Sequence, residues 1–377
     1  MKSTLRQAAG SLLIVGLGGT ELTDLERAWL RLVAPGGIIL FKRNIETVAQ
    51  TRTLLAEATG FAAPYAGRFV DVEGGTVNRL RDALAPIPSV HAVAAAMHTT
   101  GKHELAQKHG ELIAKAVRAF GFNATFAPVL DLALSESVEI LGSRTASADM
   151  GELIGYALGF LAGLSENAVA SCGKHFPGLG GAASDTHFVT PAIHRTMKQM
   201  AADLEPYEAL HDLLPLIMTN HAAYPETPAG NTPASASRYW ISTVLRKRIG
   251  YQGLIVTDDL EMGGILKFMP IEDAVIEAFR AGSDLFLICH SPELILRAYE
   301  ILLKEAERSA SFRTLLLERA ARVQRQRARI FAAPIFRPLT EKQYASLQTR
   351  IARFSEQIAA GENAQEKPRQ SSPAEAS

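Results

Sequence analysis

Eight short apolar runs recur along the chain: Leu12 to Leu17, Gly37 to Phe41, Arg68 to Val72, Thr125 to Leu130, Ala168 to Cys172, Leu214 to Met218, Gly253 to Val256 and Asp284 to Ile288. They lack the clean polar alternation of a half-exposed strand, so each reads as a strand buried on both faces, as in a parallel sheet covered by helices. Helical spacing fills the gaps. Thr23 with Glu26 three residues on makes a capping box for a helix through Trp29 to Val33, and Asn44 is placed to cap another through Leu54. His103 to Phe120 carries Leu105, Leu112, Ile113 and Val117 on one face, and Gly121 can end it. Further helices are expected over Asp149 to Leu161, Met197 to His211, Ser237 to Arg248, Ile271 to Phe279 and Pro292 to Lys304, with one or two arginine-rich helices over Glu305 to Phe331. Strand and helix alternating eightfold is the pattern of a (β/α)8 TIM barrel, regular or irregular, with extra C-terminal helices. An open doubly wound sheet has the same periodicity; polar clusters after several different strands favour a barrel mouth.

The chain is 377 residues long, and single α/β barrels of about 250 residues or more are ordinary, so one catalytic domain over 1–335 suffices. A helical extension is expected over 336–360. From Gly361 to 377 apolar side chains other than Ala and Pro vanish, and a disordered tail is expected there. Thirty-nine basic residues balance 39 acidic ones, which leaves no field to gather a polyanion, so no nucleic-acid partner is expected. No run approaches the roughly 20 apolar residues that cross a bilayer. The run after Lys2 and Arg6 is short and continues into Thr20-Glu21-Leu22-Thr23-Asp24, unlike a secretory leader. Cys172 and Cys289, each at the end of an apolar run, read as buried thiols in a cytoplasmic protein.

Chemistry gathers where strands end. Asp71 and Glu73 precede the paired glycines 74 and 75, either as a polar turn or as acceptors for sugar hydroxyls, with Arg79 available as an internal ion-pair partner. Lys174-His175-Phe176-Pro177-Gly178 follows the fifth run; its two bases are donors to a ligand or a lysine at the surface beside a histidine bonded in the wall. Asp185 and His187 are two apart, so the carboxylate can hold one ring nitrogen and raise the basicity of the other, or the two form a surface hydrogen bond. Thr257-Asp258-Asp259-Leu260-Glu261-Met262 follows the seventh run. Neighbouring side chains at a strand end point apart, so one aspartate can enter the mouth while the other stays in the wall; an ion pair or a helix cap is the alternative. Asp131, Asn220 and His221 add polar groups, and Arg144 is a five-donor fork for a ligand or for Asp131 or Glu139. There is no HExxH, P-loop or dinucleotide fingerprint, and Gly178-Leu179-Gly180-Gly181 has the wrong spacing for one.

Taken in order, Gly36-Gly37-Ile38-Ile39-Leu40-Phe41-Lys42-Arg43-Asn44, Asp71-Val72-Glu73-Gly74-Gly75, Phe126-Ala127-Pro128-Val129-Leu130-Asp131, the Lys174 to Gly178 run with Asp185-Thr186-His187, and the Thr257 to Met262 run resemble the single-domain bacterial β-N-acetylglucosaminidases of glycoside hydrolase family 3. The resemblance implies a TIM barrel and a retaining exo-β-N-acetylglucosaminidase acting in cell-wall recycling, without metal or organic cofactor. It implies Asp258 as nucleophile, His187 held by Asp185 as acid/base, and Asp71, Arg144, Lys174 and His175 as ligands of the N-acetylglucosamine unit. Two positions depart from the family pattern: Leu179 stands where histidine is usual, and Thr76 where arginine is usual. Both put substrate preference in question more than reaction class. Two alternatives stay open: a phosphorylase, because a neutral histidine base does not repel phosphate as an acceptor, and a catalytically silent sugar-binding barrel.

Overall fold

A computed structural model describes residues 4–182, 191–332 and 336–363, the side chains of the last three excepted. Eight parallel strands form the wall: β1 Leu13–Gly16, β2 Gly37–Leu40, β3 Gly67–Val70, β4 Ala124–Thr125, β5 Cys172–Phe176, β6 Leu216–Thr219, β7 Leu254–Asp259 and β8 Leu285–Ile288. Their spatial order is β4-β3-β2-β1-β8-β7-β6-β5, in register pairs such as Val15 with Ile38 and with Ile288. The two ends of that order meet. Backbone bonds from Thr125 to Ala170, Cys172 to Ala127 and Lys174 to Pro128 close the ring through a seam with little regular strand on the β4 side. The result is an irregular TIM barrel with extra C-terminal helices.

Side-chain chemistry explains the outer shell. Thr23 and Glu26 form the expected capping box at Asp24–Val33, and Asp149 caps Met150–Glu166 through the amide of Glu152. Both helices bury an apolar face, Trp29, Leu30 and Val33 in the first and Tyr156, Phe160 and Leu164 in the second. The arginine-rich segment is one helix, Ala310–Ile330, and another runs Glu341–Asn363. Among the described residues no helix is long and apolar enough to cross a membrane. Cys172 and Cys289 are buried free thiols.

Three expectations need correction. The fifth strand is Cys172–Phe176, not Ala168 to Cys172, so Lys174 and His175 belong to the wall rather than to a loop after it. Asn44 does not cap the helix that follows it. It is buried, bonded to Phe41, Leu17 and Gly19, and Thr47 caps Val48–Gly60 instead. A short antiparallel hairpin, Val72–Gly74 with Val77–Asn78, follows β3 where only a turn was expected. The expected tail lies outside the described residues from 364 onward, and positions 361–363 still belong to the last helix.

Candidate active site

The carboxyl ends of the strands open into a cleft of about 450 Å³. Its floor is hydrocarbon, from Ile39, Phe126, Met218 and Leu287, and its walls are charged.

Beside β3 the hairpin brings Glu73 into the wall, fully buried. An isolated carboxylate there would be costly, so its partners matter. Arg144 grips it with both arms, Nε to Oε2 and Nη2 to Oε1, each at 2.9 Å. Lys174 Nζ lies 2.5 Å from Oε1 and donates to Asp71 Oδ1 at 3.0 Å. Burial alone would raise the Glu73 carboxyl, but the adjacent Arg144 and Lys174 overcome it and hold the value at about 2. Burial likewise disfavours the Lys174 ammonium, and Asp71 and Glu73 outweigh it, so its value is raised. The cluster is a fixed, charged lattice facing the cleft, suited to gripping hydroxyl and amide groups.

His175 stands next along the seam. Asp131 accepts from its Nδ1 at 2.6 Å and from the backbone amides of His175 and Leu179, the latter at 2.7 Å. The ring's Nε2 turns towards Arg144 Nη2, 3.4 Å away. On the far wall Asp258 is the penultimate residue of β7, half-buried and facing the cleft, with Oδ1 accepting from the amide of Asp259 at 2.9 Å. Burial pushes its carboxyl up. The imidazoles of His175 and His221, the Asp259 amide and Lys174 more than offset that, leaving it below the usual carboxylate range. Its neighbour goes the other way: burial and the charge of Glu261 push Asp259 up to about 8. Two adjacent aspartates thus differ by environment, one held as an anion and one favouring its acid form.

Asp71, Arg144, Lys174, His175 and Asp258 therefore converge on one cleft from β3, β5, β7 and the loop after β4. His187 and Asp185 lie outside the described residues. Arg144 pairs with Glu73, not with Asp131 or Glu139. Arg79, expected as an internal ion-pair partner, has none among the described residues; it lines the cleft with its Nε buried and without an acceptor. The bond from the Arg79 amide to the Asp71 carbonyl, 3.1 Å, folds it back beside Asp71, a return that only the hairpin reveals. Phe41 and His290 pack at the rim with their rings tilted by 31° and centres 5.3 Å apart, a pair no sequence spacing announced. Leu179 lines the cleft and Thr76 is exposed outside it. Asn220 is committed to the fold, donating to the His175 carbonyl and to Tyr224. Among the described residues, ligand atoms of Asp259, Glu261 and His290 lie within 4.8 Å of one another, the spacing of a metal site. Glu261, however, already accepts from the amides of Cys289, His290 and Ser291, at the start of helix Pro292–Arg308.

A closed parallel barrel with acids and bases gathered at the carboxyl ends of its strands is an enzyme of the TIM-barrel class. Residues 4–326 match the N-terminal domain of glycosyl hydrolase family 3, and the chain belongs to that family of glycoside hydrolases. It is similar to the β-hexosaminidase of Idiomarina loihiensis, 35% identical over 279 residues that cover 74% of this chain and 83% of that one. With the β-hexosaminidase of Pseudomonas aeruginosa it shares 37% identity over 297 residues, 78% of this chain and 87% of the relative. Among solved structures, a family 3 β-N-acetylglucosaminidase from Paenibacillus sp. superposes with a TM-score of 0.82 at 30% identity, covering 94% of this chain and 69% of that one. NagZ from Neisseria gonorrhoeae gives 0.73 at 28%, covering 91% and 97%.

Proposed function

We propose that the chain is a retaining exo-β-N-acetylglucosaminidase that releases terminal β-linked N-acetylglucosamine from cell-wall muropeptides in the cytoplasm, through a covalent glycosyl-enzyme. The observation that carries this reading is the position of Asp258: a carboxylate held below its usual range, half-buried, across a small cleft from the Asp71–Lys174–Glu73–Arg144 lattice. The lattice and His175 hold the sugar through its hydroxyl and acetamido groups. Asp258 then attacks the anomeric carbon from one face, forming the carbon–oxygen bond as the aglycone leaves with the glycosidic oxygen. By the family resemblance His187, oriented by Asp185, gives that oxygen a proton and then takes one from the water that releases the sugar with net retention. The names of the β-hexosaminidase relatives and of the Paenibacillus β-N-acetylglucosaminidase support the substrate class. Two buried free thiols suit a reducing compartment.

The test compares turnover of an aryl β-N-acetylglucosaminide with that of the aryl β-glucoside, following the anomer first released by NMR. Strong preference for the acetamido sugar and a β product are expected. Equal turnover of both sugars, or an α product, sinks the reading; sugar 1-phosphate formed in phosphate buffer identifies a phosphorylase, and binding without turnover a silent barrel.

A further inference from the structure

The helix Glu341–Asn363 lies beyond the stretch that matches the family domain, yet it ends up within one loop's width of the substrate lattice. The loop is 83–88. Its carbonyls divide between two neighbours. On the outer side Tyr344 Oη donates to the carbonyl of Ala83 and Gln348 Nε2 to that of Leu84 at 2.9 Å, while the single proton of Ser355 Oγ goes to the nearer carbonyl of Ile351 in its own helix at 3.0 Å rather than to Pro86 at 3.4 Å. On the inner side the amide of Gly75 donates to Ile87 at 2.9 Å and Asn78 Nδ2 to Ala85 at 3.3 Å. Gly75 and Asn78 belong to the hairpin that carries Glu73. The helix therefore reaches the hairpin through a single layer of backbone.

A second path runs alongside. Leu347, Ile351, Phe354 and Ile358 are buried, and Phe354 stacks on His109, ring centres 6.0 Å apart. His109 is fully buried, bonded through Nδ1 to Tyr156 at 2.9 Å, and burial pushes it down to about 3, so it is a neutral packing group. Its Nε2 abuts Gly74. A Cβ there would lie 2.9 Å from that nitrogen and 2.2 Å from the Pro88 carbonyl, and Gly74 has φ +99, a conformation other residues rarely adopt. The hairpin is pressed against both supports with no room to retreat.

Resting on the glycosidase reading above, we propose that the helix Glu341–Asn363 is a positioning element of the sugar site: Tyr344 and Gln348 hold loop 83–88, and the loop sets the hairpin that presents Glu73 to Lys174 and Arg144. Neither side chain lines the cleft, so they act on substrate affinity through the hairpin and leave the chemistry at Asp258 alone.

The experiment uses the full-length protein with Tyr344→Phe and Gln348→Ala combined. It reads amide hydrogen exchange at Gly75, with Leu287 on β8 as a reference, and the Kd for N-acetylglucosamine with KM and kcat on an aryl β-N-acetylglucosaminide. Two lost hydrogen bonds should raise exchange at Gly75 and both Kd and KM about fivefold, with kcat changed less than about twofold and Leu287 unmoved. Gln348→Lys, which keeps a donor, should recover much of the change relative to Gln348→Ala. Unchanged sugar affinity, or exchange rising equally at Gly75 and Leu287, overturns the proposal. Wild-type protein that neither binds nor cleaves the sugar sinks the glycosidase reading instead, and the exchange comparison then decides the positioning by itself.

Discussion

The two ends of the barrel hold the same device. At the mouth, Glu73 is buried between Arg144 and Lys174. At the base, Asp284, just before β8, is buried between Arg246 and Arg322 and accepts from the amide of Ile255 at 2.9 Å. Each is a carboxylate without solvent contact and with two cations on it. What differs is the rest of the surroundings. At the base, Arg246 is also spent on the carbonyls of Tyr251 and Gly253, and Arg322 comes from helix Ala310–Ile330, which closes over the cluster. At the mouth, Lys174 continues to Asp71, and the pair opens on a cleft shared with Arg79 and Asp258. A buried ion cluster is thus no sign of a site by itself; access and an adjacent reactive group make the difference.

That contrast predicts mouth variants that lose activity while folded, and base variants that lose stability while active. Asp258→Ala should lower kcat on the order of 10⁴-fold or more, with an unchanged urea midpoint; wild-type turnover would break the assignment. Asp284→Asn leaves two guanidinium groups without their anion and should cost about 3–5 kcal/mol in urea unfolding, with normal kcat per folded molecule. An activity loss there without a stability loss would erase the distinction between the ends. Glu73→Gln should raise KM and lower kcat/KM roughly 100-fold, because its partners are the proposed ligands of the sugar.

Acid sharpens the same comparison. The Glu73 value is about 2 in the fold against an ordinary 4.5, so its stabilisation is complete above the unfolded value and is lost as pH falls from 4.5 towards 2. The gap in unfolding free energy between wild type and Glu73→Gln should narrow by about 1 kcal/mol from pH 5 to pH 3.5; a constant gap would mean that Glu73 is not held as an anion. Smallest of all, Thr76→Arg, restoring the residue usual in the family, should move kcat/KM less than about twofold, since Thr76 is exposed and away from the cleft.

The alternation of apolar runs and helices made the barrel legible, because each buried parallel strand must be apolar on both faces. The fifth strand slipped because its continuation, Gly173-Lys174-His175, carries polar side chains that read as a loop; they sit in the wall only because Asp71, Glu73 and Asp131 are there to receive them. Asp71, Arg144, Lys174, His175 and Asp258 were recognisable as motif residues and do meet in one cleft. Their partners were harder to see. Glu73 and Arg144 are 71 positions apart, and nothing local favours that pairing over Asp131 or Glu139. The helix beyond residue 340 was expected as an extension, but its hold on loop 83–88 runs through backbone carbonyls, which every residue possesses and no side-chain pattern betrays.

The join between β4 and β5 has one more consequence. Where other neighbouring staves of the barrel are fastened by regular ladders, this pair adds to its irregular backbone bonds the carboxylate of Asp131, which rivets the chain leaving β4 to the amides of His175 and Leu179. A sugar held by Lys174 and His175, as proposed, would press on that same fastening. Slower exchange of the Leu179 amide in the presence of N-acetylglucosamine is the expected outcome, and unchanged exchange would contradict it.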